Sequence, residues 1–400
     1  MLSKKIFFKN SLTKFSRTSL FNFTKNSLQK IKEEYFKGKI PMLSSFNKNY
    51  ELGYSKKFLK KINSFYFFNI VGIGGSVLGA KAIYSFLRNK IKKKFNFIDN
   101  LSEINLLNKN EKKFKEANIF ISKSGNTLET IVNLNFFLKK NKKNNINLFI
   151  VEKKYNGLRE IADKLRCQVI EHKNFIGGRY SVMSETGMLP AQLMGLNPNK
   201  FKNLNYLIKN KNFVNDLISN VSSISKLINK KNYNSVILNY DPDINDFCFW
   251  YQQLMAESLG KKNKGIFPII STMPKDNHSL FQLYLDGPRN NFFTIFFSKH
   301  ITKINLSNSF LPKKFQYLKN KNLENILSSQ KKATENIFNK KKIPYRSFYI
   351  LKKDEEQLGV LFTFFVLETI LLSKFLKINP FDQPAVENIK KTTKNILLKI

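Results

Sequence analysis

A chain of 400 residues has room for two domains with separate cores, and only two cysteines, Cys167 and Cys248, exclude a disulfide framework. Both sit in apolar company, so they are expected to be buried free thiols, which suits a reducing compartment. The net charge of +41 raises nucleic acid, but only seven of the 69 basic residues are Arg, the side chain suited to bidentate base contacts.

Lys, Asn, Ile and Phe are inflated together along the whole chain. Lysine therefore reads as a filler of solvated faces, and no specific nucleic-acid partner is expected. A basic surface would still draw in anionic substrates.

The first 32 residues carry no acid, and "MLSKKIFFKNSLTKFSRTSLFNF" has the basic, Ser-rich look of an organellar transit peptide. It is poor in Arg, and the same lysine excess runs everywhere. Residues 1–45 are read as a basic N-terminal arm of a cytoplasmic protein, with targeting as the lesser reading.

From 46 to 212 the chain alternates in period. "SFYFFNIVGI" is a strand and Ser76 to Leu87 a helix. "ANIFIS" is a strand and Leu128 to Lys139 a helix, and "NINLFIVEKK" and "CQVIEH" are further strands. The pattern restarts over 213–380. There "NSVILNYD", "GIFPIIST", "NNFFTIFFSK" and "RSFYILKK" are strands, with helices over Ile244 to Leu259, Asn277 to Tyr284 and Gln357 to Phe375. Strands alternating with helices predict α/β sandwiches with mainly parallel sheets. Asn199 to Lys211 and Lys313 to Lys332 read as solvated connections or exposed helices. Residues 381–400 form a C-terminal segment. The longest apolar run, Leu361 to Leu372, is short for a membrane span and contains Glu368, so it reads as a core helix and no membrane partner is expected.

Two loops stand out. In "NIVGIGGSVLGAKAIY" a strand gives way to Gly74, Gly75 and Ser76 and then to a helix, an arrangement that offers N–H groups to an anion. It is not the dinucleotide fingerprint, since the sixth position from Gly72 is Val77, nor the Walker loop, since no Gly-Lys-Ser/Thr follows. A plain tight turn explains this stretch alone equally well. The second loop, "SKSGNTLET", sets Ser122, Lys123, Ser124 and Thr127 around Gly125 at another strand end. It too has a plain reading, a helix cap with a turn. Two such loops on successive strands favour a phosphate.

The remaining unusual stretches carry catalytic groups. "GGRYSVMSETG" holds Arg179, "QQLMAESLGK" puts Gln253 and Glu257 on one helical face, "DNHSLFQLYLDG" contains His278, and "NPFDQPAVENIKK" contains Gln383 and Lys390. Singly each has a bland alternative, most of all Lys390 in so lysine-rich a chain. In order, from Val71 to Lys390, "GIGGSVLG", "ISKSGNTLET", "GGRYSVMSETG", "QQLMAESLGK", "NHSLFQLYLDG" and "NPFDQPAVE" resemble the blocks of the glucose-6-phosphate isomerases of the sugar isomerase (SIS) fold, in their shorter bacterial form.

That resemblance implies two SIS-type α/β/α domains and an aldose–ketose isomerase of glucose 6-phosphate and fructose 6-phosphate. It implies a phosphate held by Gly75, Ser76, Ser122, Lys123, Ser124 and Thr127, and a sugar contacted by Gln253 and Gln383. Glu257 matches the base and Arg179 the arginine beside the moving proton. His278 and Lys390 match the ring-opening pair, with His278 supplied by the neighbouring subunit of a homodimer. Two positions depart from the family: Asn126, where Thr is more usual, and Ala385, where Gly is common. The proton transfer needs no net redox, so no cofactor is implied, and no cluster with metal-ligand spacing is visible. A non-catalytic sugar-phosphate sensor, or an isomerase also accepting mannose 6-phosphate or an aminosugar phosphate, are the alternatives.

Overall fold

The computed structural model describes residues 1–13, 19–101, 115–139, 145–299 and 305–400; residues 14–18 of the basic N-terminal stretch lie outside them. The chain opens with strand β1 (Ile6–Ser11) and helices α1 (Ser19–Phe36) and α2 (Lys56–Ile62). The first unit follows as β2 (Phe67–Val71), α3 (Leu78–Phe86), β3 (Lys94–Ile98), β4 (Glu116–Ile121), α4 (Leu128–Lys139), β5 (Ile146–Val151), α5 (Gly157–Lys164) and β6 (Gln168–Glu171). Helices α6 (Glu185–Leu193), α7 (Pro198–Phe201), α8 (Leu204–Leu207) and α9 (Lys211–Asn229) lead to the second. It runs β7 (Asn234–Asn239), α10 (Asn245–Leu259), β8 (Phe267–Thr272), α11 (Phe281–Asp286), β9 (Asn291–Ser298), α12 (Leu323–Lys340), β10 (Tyr345–Ile350) and α13 (Glu355–Leu376), and α14 (Pro384–Leu397) ends the chain.

The first sheet is wholly parallel in the order β3-β2-β4-β5-β6, and the second runs β1-β10-β9-β7-β8. Each unit's first strand, β2 or β7, takes its next strand on one side and its third on the other. The two sheets thus share one winding, with a strand-order reversal beside β2 and another beside β7. Where the first sheet has β6 at its edge, the second has β1, paired antiparallel to β10 through Ile6 and Ile350.

The N-terminal stretch is therefore built into the second sheet. Its alternation of buried Ile6, exposed Phe7 and half-buried Phe8 was diluted in the sequence by flanking lysines. Helix α1 packs against α9 and α13. β3 also escaped the sequence reading, because "KFNF" has weak alternation. Phe201, Leu204, Leu207 and Ile208 are buried, so 199–211 is packed structure and not a solvated connection. Cys248 is buried as expected, but Cys167 is only partly so, at the rim of β6.

Helix α13 runs through the middle of the fold with Phe362, Phe364 and Phe365 fully buried. Glu368 is tolerated there because the guanidinium of Arg346 pairs with it, and Tyr251 donates to it at 2.6 Å while accepting from Arg346 at 2.9 Å. A buried charge is costly unless paired and hydrogen-bonded in this way. The contact that matters most for the site is between units: α10 lies along α3, which places its C-terminal half over the loops of the first sheet.

Candidate active site

In open α/β sheets a ligand crevice forms beyond the carboxyl ends of strands where strand order reverses. In the first sheet that point lies between β2 and β4, and both loops singled out in the sequence sit there. At the matching end of the second sheet, internal groups are tied together. Lys353 Nζ lies 3.0 Å from Asp241 and also pairs with Asp243, and Ser298 donates to Asp241.

The glycines after β2 are needed by the protein itself. A Cβ on Gly75 would sit 2.2 Å from the Gly178 carbonyl carbon and 2.4 Å from the Arg179 nitrogen. Gly74 has φ +58°, and a side chain there would meet the Gln253 amide at 2.8 Å. The small residues thus let the arginine turn and α10 close onto the loop. Ser76 is half-buried beside them.

After β4, Ser122 Oγ and Thr127 Oγ1 are 2.9 Å apart, and Ser122 Oγ accepts the Gly125 N–H at 3.2 Å. Ser122 is buried, Thr127 half-buried and Ser124 exposed. Of the two hydroxyl hydrogens in the Ser122–Thr127 pair, one is spent between them, which leaves the other for an incoming oxygen. Asn126 does not face an anion with its carbonyl: Oδ1 accepts the Gly157 N–H at the start of α5, 2.9 Å away. Burial holds the Lys123 ammonium below the ordinary lysine range, with the Arg179 charge adding to the shift and Glu152 opposing it.

Arg179 is the hub. It follows Gly177 and Gly178 on a short 3₁₀ turn and is almost fully buried. Nη1 donates to Glu257 Oε1 at 2.7 Å and to Gln383 Oε1 at 2.8 Å. The other oxygen of Glu257 accepts from Gln253 Nε2 at 2.9 Å, as the i, i+4 spacing on α10 allows. Both carboxylate oxygens are therefore fixed. Gln253 Oε1 is buried with no partner among the described residues, a vacant acceptor beside this cluster that a hydroxyl can satisfy. Beyond Glu257 lies a cavity of about 760 Å³, lined also by Lys261, Lys264, Gln383 and Val386.

The structure thus gathers Gly75, Arg179, Gln253, Glu257 and Gln383, with Lys123 in electrostatic reach of Arg179. It does not bring in His278 or Lys390. His278 is exposed on a turn after β8, and among the described residues no hydrogen bond links it to the cluster. Lys390 is exposed on α14 and pairs with Glu387 at 2.7 Å. The sequence reading missed Tyr180 and Ser258, which hold Arg179 from behind: Arg179 Nε donates to Ser258 Oγ, and Tyr180 OH lies 2.8 Å from that same oxygen. Both adjoin residues already singled out, and that adjacency was the available signal. Among the described residues no group of His, Cys, Asp and Glu has the arrangement of a metal site.

The profile of the family described as phosphoglucose isomerase matches residues 43–400. A probable glucose-6-phosphate isomerase of Methanococcus maripaludis is 31% identical, over 93% of this chain and 87% of its own. A glucose-6-phosphate isomerase of Methanocaldococcus jannaschii is 30% identical over 83% and 84%. The crystal structure of a glucose-6-phosphate isomerase from Chlamydia trachomatis superposes with a TM-score of 0.75, covering 99% of this chain and 89% of that one. At 16% identity this is a likeness of fold.

Proposed function

The chain belongs to the phosphoglucose isomerase family, and on that footing we propose how its own residues interconvert glucose 6-phosphate and fructose 6-phosphate. The reaction is an aldose–ketose isomerisation, a proton moved between C2 and C1 with no net redox. The observation that carries the reading is the 2.7 Å contact of Arg179 Nη1 with Glu257 Oε1 beside the two loops of the first sheet.

Ser76, Ser122, Lys123, Ser124 and Thr127 hold the phosphate, whose binding energy orients the distant carbons. Gln253 and Gln383 contact the sugar hydroxyls. Glu257 takes the C2 proton and returns it to C1. The enediolate that forms between these steps carries negative charge on oxygen, and the buried guanidinium of Arg179, which stays protonated, stabilises it. A sensor that only binds would have no use for a carboxylate held at both oxygens against an arginine.

Opening of the pyranose ring falls to His278 and Lys390. In this reading His278 serves the site of a second subunit. Its exposure supports that, as does α14, where Val386, Ile389, Ile396 and Leu397 all face solvent. The setting is cytoplasmic, in keeping with free thiols.

A coupled assay of Glu257→Gln with fructose 6-phosphate tests the reading. The variant is expected to fold, bind substrate and lose turnover by roughly 10²–10⁴-fold. Near-native activity would sink the mechanism. Parallel arms with mannose 6-phosphate and glucosamine 6-phosphate set the substrate range.

A further inference from the structure

Most of what holds Arg179 plays no part in the chemistry just described. Beyond Glu257 and Gln383, its Nη2 donates to the carbonyls of Pro380 and Asp382 at 2.5 and 3.0 Å, and its Nε donates to Ser258 Oγ at 2.8 Å. Tyr180 OH donates to the Pro380 carbonyl at 3.0 Å and lies 2.8 Å from Ser258 Oγ. The donors set the direction of the chain. Arg179 Nε–H points to Ser258, the Ser258 hydroxyl hydrogen to Tyr180, and the Tyr180 hydroxyl hydrogen to Pro380. Every hydrogen in it is used. Tyr180 and Ser258 are fully buried, and the Tyr180 ring packs on Phe381 with centroids 5.6 Å apart.

Proton abstraction creates a difficulty that this chain resolves. When Glu257 takes up the C2 proton its charge vanishes, and its hold on Arg179 Nη1 weakens from a charge-assisted bond to an ordinary one. At the same moment the enediolate needs the guanidinium where it already is. Catalytic donors are effective when they need no reorganisation as charge develops. Ser258 Oγ and the two carbonyls are neutral acceptors, so their grip does not change when Glu257 takes the substrate proton.

We propose that Tyr180 and Ser258 are positioning residues that keep Arg179 aimed at the enediolate while Glu257 is protonated. This rests on the roles given above to Glu257 and Arg179. Neither Tyr180 nor Ser258 touches substrate in it; they act through Arg179, so their effect belongs to the transition state and not to ground-state binding.

Tyr180→Phe tests it, since it keeps the ring and removes the hydroxyl. Two ligands are titrated against wild type and variant: a sugar-phosphate hydroxamate that mimics the enediolate, and an open-chain hexitol 6-phosphate that mimics only the ground state. The expected result is a loss of about tenfold in hydroxamate affinity and in kcat, with hexitol phosphate affinity and KM kept within about twofold. Unchanged hydroxamate affinity and kcat overturn the proposal. So does a parallel loss for both ligands, which is what general loosening of the fold produces. Should Tyr180→Phe fail to fold, Ser258→Ala is measured with the same outcomes. A wild-type protein that does not prefer the hydroxamate tells against the isomerase mechanism itself, a result separate from either of these.

Discussion

Arg179 Nη1 and Glu257 Oε1 stand 2.7 Å apart although their residues belong to different units of the fold. One follows the first sheet and the other rides on α10, which is docked along α3. Gly75 lets the arginine turn close onto the loop after β2, and Gly74 leaves room there for Gln253 of α10. Arg179→Lys keeps the charge but cannot reproduce bonds from Nε, Nη1 and Nη2 to five acceptors. A fall in kcat of about 10²–10³-fold is expected, the size seen when one preorganised oxyanion donor is lost. Steady-state kinetics measure it, and a variant within a factor of about three of wild type would show that charge alone suffices.

Asn126 stitches the loop after β4 to α5, through its bond to the Gly157 N–H. Asn156, the cap of that helix, fills the space a side chain on Gly125 would need. Loss of a capping bond costs about 1 kcal/mol, and here that cost falls on the shape of the loop after β4. Asn126→Ala is expected to raise KM for the sugar phosphate by about fivefold and leave kcat in place. An unchanged KM would detach Asn126 from substrate binding.

The parts of this architecture that were legible in the sequence are those with local signals. β2, β4, β7 and β9 are near-continuous apolar runs because both faces of a central parallel strand are covered. Glu257 and Gln253 were paired by helical spacing alone. The rest depends on partners distant in the chain. β1 is a strand only because β10 offers it an edge. Asn96, Asn69, Asn118 and Asn147 lie in the middle of strands of a chain inflated in Asn throughout. In register they form a ladder of side-chain amide bonds of 2.8 to 3.0 Å across four neighbouring strands. Tyr180 and Ser258 carry no periodicity that marks them as supports for an arginine, and the exposure of His278 and Lys390 has no signature in sequence.

Lys202 is a buried lysine whose ammonium has no hydrogen-bond partner among the described residues. Burial pushes its pKa down from 10.5 to about 8, only partly countered by Glu185, and its Nζ sits 4.7 Å from the centre of the Tyr50 ring. Below pH 8 both folded and unfolded chains carry the charge and the folded state bears the whole penalty, about 3 kcal/mol. Between pH 8 and 10.5 the unfolded chain binds the extra proton, so this group makes stability rise with pH; above 10.5 the penalty is gone. Tyr50 is pushed well above its usual range by burial and by Glu185, and does not titrate in that window. Lys202→Met is therefore expected to be more stable than wild type at pH 7, with the gap closing as pH climbs from 8 to 10.5. Urea unfolding at a series of pH values measures it. A gap that is absent, or that stays constant with pH, would refute the assignment.

His278 provides the test of a site shared between subunits. It is exposed, and among the described residues no hydrogen bond links it to the cluster around Arg179, yet in the proposed mechanism a cyclic substrate must be opened before Glu257 can act. If each subunit of a symmetric pair donates His278 to the other, Glu257→Gln and His278→Ala are inactive on pyranose substrate separately but complement when mixed. In a mixed dimer one site carries both defects and the other carries neither. Random exchange of equal amounts makes half the dimers mixed, each with one intact site of two, so about a quarter of wild-type activity is expected. If each chain uses its own His278, every site keeps one defect and mixing restores nothing. Native mass spectrometry follows exchange in the same samples, and the activity recovered must rise in step with the heterodimer peak. A full heterodimer peak without activity, or activity without it, defeats the shared site. The open-chain form of the substrate supplies the control. It bypasses ring opening, so His278→Ala alone should turn it over while Glu257→Gln should not.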